Sequence, residues 1–250
     1  AISTQATFFA KTPAPVLLVD DHRWYDVAND YHVALEAAQT PYDLWRLEPN
    51  PLPDVHSPPL SVLQYYPVVV WFTAYDWYAT LTPTDEDRLS AYLDSGGRLL
   101  LSSQDYLYTS GFTPFARDYL GVAGYTEALT ATQVVGALGS PIGDGLDVAD
   151  LTYPYRNWSD ALYASERAQP ALWGQHAQPV ALTLDQAPWK TAFFSFPLEA
   201  LPEQDLTAVI SHTVDWLSPL GDSVLTVDRS SAAEGEELAY SLLVQNTGPA

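Results

Sequence analysis

Short, unbroken apolar runs alternate with amphipathic stretches through the first hundred residues, and this alternation predicts strands followed by helices. Val16-Leu17-Leu18-Val19 closes on Asp20-Asp21, and a run that is apolar at every position fits a strand buried on both faces of a parallel sheet. Val27, Tyr31, Leu35 and Ala38 then recur at helical spacing and make one buried stripe. Tyr42 to Leu47 alternates as a second strand. A Pro-rich loop follows (Pro49, Pro51, Pro53, Pro58, Pro59), and Pro67 to Phe72 is the most apolar strand of the chain. The next helix carries its own punctuation: Thr82 is placed to cap it, Pro83 suits the first helical position, Asp85 completes a box-like pattern, and Gly96-Gly97 end it. Leu89 and Leu93 supply its buried face. Arg98 to Leu101 is the fourth strand, with Ser102-Ser103-Gln104-Asp105 just past its carboxyl end.

From Tyr125 to Asp185 the pattern loosens into short β-like pieces around turns such as Gly139-Ser140-Pro141, Gly143-Asp144-Gly145 and Tyr153-Pro154. Thr191 to Phe196 reads as a last core strand. Pro202 then opens a helix with Leu206, Val209, Ile210, Val214 and Leu217 on one face, ended by Pro219 and Gly221. Residues 1–15 read as a linker and 16–221 as one α/β domain, a doubly wound, mostly parallel sheet of the flavodoxin-like type. Ligands of such a sheet are expected outside the carboxyl ends of its strands. Residues 222–250 alternate again, in Val224 to Val227 and Leu238 to Val244, around a Gly- and Glu-bearing turn. Two strands do not make a stable domain. This short C-terminal β segment is therefore read as the truncated start of a β-sandwich module, leaning on the α/β body or on a neighbouring chain.

Composition narrows the function classes. The 250 residues are 47% hydrophobic, enough for a sizeable core. Ten Lys and Arg against thirty-one Asp and Glu give a formal charge of −21, which repels phosphate backbones and anionic lipid and argues against nucleic acid as a partner. No apolar run is long enough for membrane insertion. The chain has no cysteine, which excludes disulfides, thiolate nucleophiles and zinc-thiolate sites. It has no methionine, even at position 1, and no basic-then-apolar leader. It is read as a processed piece of a longer product, with any export signal outside it.

Four segments together resemble the class I glutamine amidotransferases: Pro15 to Asp21 (PVLLVDD), Tyr66 to Thr73 (YPVVVWFT), Leu93 to Ser103 (LDSGGRLLLSS) and Phe194 to Glu199 (FSFPLE). The resemblance covers about Pro15 to Pro219, and it is to the non-catalytic form of the domain found in exported bacterial multidomain proteins, often beside peptidase domains. The tail, with Gln245 to Pro249 (QNTGP), looks like the first strands of the Ig-like repeats of bacterial surface proteins. The family's active members carry a nucleophilic Cys in a Gly-flanked turn after the fourth strand and a His and a Glu after the last core strand. Here that turn reads Leu101-Ser102-Ser103-Gln104-Asp105, and Glu199 matches the acid with no His beside it. The resemblance therefore implies a fold without glutaminase chemistry, which needs a thiolate activated by an imidazole.

Other site chemistry is weighed on residues alone. A serine hydrolase would use Ser103 with His22 and Glu199, but the G-x-S-x-G elbow is missing, and strand-end serines that cap backbone groups are the plainer reading. Asp20 and Asp21 with Asp76 resemble the acidic set of phospho-receiver domains, but Lys190 precedes a strand where a receiver needs it after one. The same three carboxylates offer oxygens to Ca²⁺; otherwise no cofactor is expected. Sixteen Tyr and eight Trp form clusters, several of them after strand ends. Trp24, Tyr25, Asp76, Trp77, Tyr78 and Tyr106 are the residues expected to bind a glycan or peptide, since a ring supplies flat apolar area and a polar edge. The alternative is that these rings simply cover the irregular insertion. Asn157-Trp158-Ser159 fits a glycosylation sequon. The expected role is a non-catalytic accessory or interaction module of a secreted or cell-surface bacterial protein, partnered by other domains of its parent chain. The runner-up is a carbohydrate- or peptide-binding module.

Overall fold

The computed structural model describes residues 12–47, 57–220, 224–227 and 239–246. Most of the N-terminal linker, the run from Pro49 to Pro53 and the turn expected between the two tail strands lie outside the described residues. Strand β1 (Val16–Asp20), helix α1 (Ala28–Ala37), β2 (Tyr42–Arg46), α2 (Leu60–Leu63), β3 (Val68–Ala74), α3 (Pro83–Asp94) and β4 (Arg98–Ser103) follow in order. Two short helices, α4 (Tyr106–Ser110) and α5 (Pro114–Asp118), precede β5 (Val122–Thr126), β6 (Gln133–Gly136), β7 (Ala149–Asp150) and β8 (Ala161–Ala164). Then come β9 (Ala168–Gly174), β10 (Pro179–Gln186), β11 (Trp189–Phe194), a 3₁₀ turn (Leu198–Ala200), α6 (Glu203–Leu217), β12 (Val224–Val227) and β13 (Tyr240–Leu243).

The main sheet has nine strands in the order β2-β1-β3-β4-β11-β10-β9-β6-β7. Its first five are parallel. The other four join antiparallel, so the expected doubly wound sheet is only one half of the structure. The stretch expected to hold loose β pieces contains β9 and β10, strands of 7 and 8 residues. Only a tight turn separates β10 from β11, and a connection that short permits an antiparallel neighbour but no crossover. β5 and β8 form a separate two-stranded sheet, as do β12 and β13.

The unbroken apolar strands are explained by helices on both faces. Val16, Leu18, Val70, Phe72, Leu100, Ala192 and Phe194 share one core with Tyr31 and Leu35 of α1 and Leu206, Val209 and Ile210 of α6. Their neighbours Leu17, Val19, Val69, Trp71, Leu99, Leu101 and Phe193 share the other with Leu89, Tyr92 and Leu93 of α3 and Phe115 of α5. Helix α3 starts in the predicted capping box, with Thr82 Oγ1 accepting from Asp85 N and Asp85 accepting from Thr82 N. Gly96 leaves it at φ +94°, a left-handed position suited to glycine. A Cβ on Gly97 would lie 2.3 Å from the Tyr92 ring. Arg98 is buried, and its guanidinium donates to the carbonyl of Leu217, 2.8 Å away, tying β4 to the end of α6.

Candidate functional site

The parallel strands end together, and the loops leaving them build one surface. β3 ends in a sharp turn: Ala74 is buried at φ +52°, a conformation strained for a residue with a Cβ. The turn delivers Tyr75 to the interior and leaves Trp77 54% exposed. Arg23, entering from the loop after β1, pairs with Asp76 and donates to the Ala79 carbonyl at 3.1 Å. Asp76 also accepts from Tyr78 N at 3.0 Å, so the loop is pinned from both sides. From β4, Gln104 donates to Asp105 (2.7 Å) and accepts from Trp158 N (3.2 Å), which fastens the 150s segment to the strand end. From β11, Ser195 Oγ donates to the Asp160 carbonyl at 2.7 Å, and its own carbonyl accepts from Asp160 N.

These loops enclose a cavity of about 350 Å³, lined by Trp77, Asp105, Tyr108, Glu127, Ala128, Trp158 and Asp160. Trp77, Tyr108 and Trp158 are exposed aromatics at its rim, and the Arg156 guanidinium lies 4.1 Å over the Trp158 ring. Asp105 and Asp160 are only 4% and 2% exposed. Burial pushes the Asp105 carboxyl up to about 6, helped by the charge of Asp76 and opposed by the Gln104 bond. Burial likewise pushes Asp160 up to about 7, against the hydrogen bond from Ala128 N and with the help of Asp105 and Glu127. One Asp160 oxygen accepts from Ala128 N at 2.9 Å, and the other, Oδ2, is buried with no hydrogen-bond partner among the described residues. The site thus combines aromatic surface with two carboxyls whose raised values, about 6 and about 7, let them gain and lose their protons close to neutral pH.

No family model and no curated protein matches the chain. Among solved structures it is similar to a ThuA-like protein from Bacteroides uniformis, at 11% identity and TM-score 0.55 over 86% of this chain and 96% of that one. It is also similar to a GMP synthase component from Thermoplasma acidophilum, at 14% identity and TM-score 0.53 over 80% and 95% of the two chains. The fold is glutamine amidotransferase-like. A third similarity is to Gan42B, a GH42 β-galactosidase from G. stearothermophilus, at 10% identity and TM-score 0.58; it covers 87% of this chain but 32% of that one.

In this amidotransferase-like frame the expected catalytic positions have structural partners. Ser102 Oγ accepts from Tyr31 (3.1 Å) and Leu198 N (3.0 Å), so it joins β4 to the turn after β11. Ser103 accepts from Thr73 at 2.6 Å, and no histidine hydrogen-bonds to it among the described residues. His22 instead pairs through Nδ1 with Asp20, and its ring stacks near Phe72. Ser103, His22 and Glu199 therefore form no hydrogen-bonded triad. Glu199 accepts from Tyr31 at 2.8 Å, while its Oε1 and the Tyr75 hydroxyl are both buried without a partner among the described residues. Burial raises Glu199 to about 7, against the bond from Tyr31.

The three metal candidates are likewise engaged. Asp20 accepts from Arg46 as well as His22, Asp21 accepts from Trp71 Nε1 at 3.1 Å, and Asp76 holds Arg23. Among the described residues no cluster of three His, Asp or Glu is arranged to hold a metal. Of the six expected ligand-binding residues, Trp77 alone lines the cavity. Tyr106 is fully buried and donates to Glu86 at 2.6 Å. Tyr25 packs edge-on against Tyr155, and Asp76 is fully buried against Arg23. Trp24 and Tyr78 are exposed on either side of that arginine. The sequon Asn157 spends its amide nitrogen on the Ala131 carbonyl at 2.7 Å. Sequence reasoning missed Asp160, which reaches the strand end only because the insertion folds back onto Ser195. Asp105 carried a signal, standing one residue past Gln104 at the end of β4.

Proposed function

We propose that this chain is a non-catalytic accessory domain of a larger secreted or cell-surface bacterial protein, and that it binds a glycan or peptide at the carboxyl edge of its sheet. The observation that carries the reading is the cavity itself, a concave site with aromatic walls and a few convergent polar groups, the usual form of a small-ligand pocket. The accessory role is supported by the partners of Ser102, Ser103 and His22, which serve the fold. It is also supported by the similarity to about a third of a β-galactosidase chain, where the fold accounts for only part of the protein. The tail hairpin, with Val224 opposite Leu243 and Val227 opposite Tyr240, is consistent with the opening strands of an Ig-like repeat.

Tryptophans at the cavity make the test direct. Titration with a panel of neutral oligosaccharides and short peptides is expected to give a saturable change in tryptophan fluorescence with at least one member. Trp77→Ala and Trp158→Ala are each expected to weaken that binding by about tenfold or more, the usual effect of deleting an aromatic anchor. A flat response across the whole panel would leave a spacer without a ligand.

A further inference from the structure

The cavity contains a charge imbalance that selects among ligands. Asp105 and Asp160 are buried in its wall, and neither is hydrogen-bonded or ion-paired to a Lys, Arg or His among the described residues. The charged groups acting on them from neighbouring elements are Asp76 after β3 and Glu127 after β5, both negative. The nearby cations are committed elsewhere: Arg23 is locked on Asp76 and Arg156 lies over Trp158. Asp160 lines the cavity, and its Oδ2 is buried with no donor of its own among the described residues. A buried carboxylate oxygen left in that state costs free energy that a ligand donor would recover.

Resting on the ligand-binding reading above, we infer that the cavity takes the aliphatic ammonium of a peptide lysine, its nitrogen directed to Asp105 and Asp160 and its methylene stem laid against Trp77, Tyr108 and Trp158. Three features favour this occupant. An ammonium supplies both the missing hydrogen-bond donor and the missing positive charge, whereas a neutral sugar hydroxyl supplies only the first. The ring faces attract a cation as well as an apolar stem, and Arg156 over Trp158 already makes such a contact here. One orphan oxygen is a point acceptor, suited to an ammonium more than to the two-pronged guanidinium fork. A hard ion such as Ca²⁺ needs six or more oxygen ligands, and much of this wall is aromatic. The net charge of −21 draws basic peptides towards the whole molecule.

The full chain is titrated, with tryptophan fluorescence as the readout, against an acetylated and amidated Gly-Lys-Gly peptide and the same peptide with norleucine for lysine. Glucosamine, glucose and calcium chloride complete the set. The lysine peptide is expected to saturate the signal, the norleucine peptide to bind about tenfold or more weakly, and Asp160→Asn to weaken the lysine peptide to a similar degree. Binding is expected to strengthen as pH rises through the range of about 6 to about 7 in which Asp105 and Asp160 ionise, and to weaken with added NaCl. Equal binding of the two peptides would overturn the inference, and so would affinity unchanged by pH; both are read on the unaltered protein and stand even if the variant fails to fold. Tighter binding of glucosamine than of the lysine peptide would replace lysine by an amino sugar. Saturation by calcium alone would replace it by a metal ion. Silence from the lysine peptide would overturn this inference whatever the other members do, and the ligand-binding reading then stands or falls on the oligosaccharide and peptide panel above.

Discussion

Taking a carboxyl out of water costs free energy unless it is protonated or paired, and Glu199 has one oxygen bonded to Tyr31 and the other bonded to nothing described. Its proton is held to about 7, against 4.5 for a free glutamic acid. Between those values the native chain binds the proton more tightly than the unfolded chain, so stability falls as pH rises through that window. Asp105 and Asp160, also raised by burial, act with the same sign from 3.8 up to about 6 and about 7. The thermal midpoint is therefore expected to be higher near pH 5 than near pH 8. Glu199→Gln should flatten part of this slope and stabilise the protein by about 1–2 kcal/mol near pH 8, as judged by urea unfolding at both pH values. An unchanged slope in the variant would mean that Glu199 is ionised in the folded protein. Glu199 was visible in the sequence through its place after the last core strand. Its partner Tyr31 was visible only as one member of a helical stripe, because nothing local shows that the stripe meets the 3₁₀ turn 168 residues away.

Elements were legible where their signals are local. The four parallel strands through β4 and the start of α3 depend on runs of Val, Leu and Trp and on a capping box, all of which lie within a few residues of what they determine. Thr82→Ala removes the acceptor for Asp85 N and is expected to cost about 1 kcal/mol in denaturant unfolding. Gly97→Ala should cost more, about 2–3 kcal/mol, because the added carbon would meet the Tyr92 ring. That ring has little room to give: its hydroxyl donates to the Tyr66 and Arg98 carbonyls and accepts from Arg98 N. The reverse ranking would mean that the ring shifts freely and that this packing is looser than its hydrogen bonds imply. The antiparallel half of the sheet was less legible. Pro170, Gln178 and Gly174 interrupt the apolar alternation in and around β9 and β10, and pairing partners there are fixed by tertiary register, which includes a bulge between Pro179 and Leu182.

For the whole molecule, the excess of carboxylates acts on stability and on binding with opposite responses to salt. A charge of −21 repels itself when the chain is compact, and screening shortens the reach of that repulsion to about 8 Å near physiological ionic strength. Added NaCl is therefore expected to raise the thermal midpoint steadily near neutral pH, most of all at the lowest salt concentrations. The same screening should weaken capture of a lysine peptide, whose approach gains from the long-range field even though its contacts are made inside the cavity. The two effects separate by mechanism: Asp160→Asn removes one charge in thirty-one, which should barely alter the salt dependence of the midpoint while reducing that of binding. A midpoint that falls as NaCl is added would show that attractive pairs such as Arg23 with Asp76 and Arg46 with Asp20 outweigh the net repulsion.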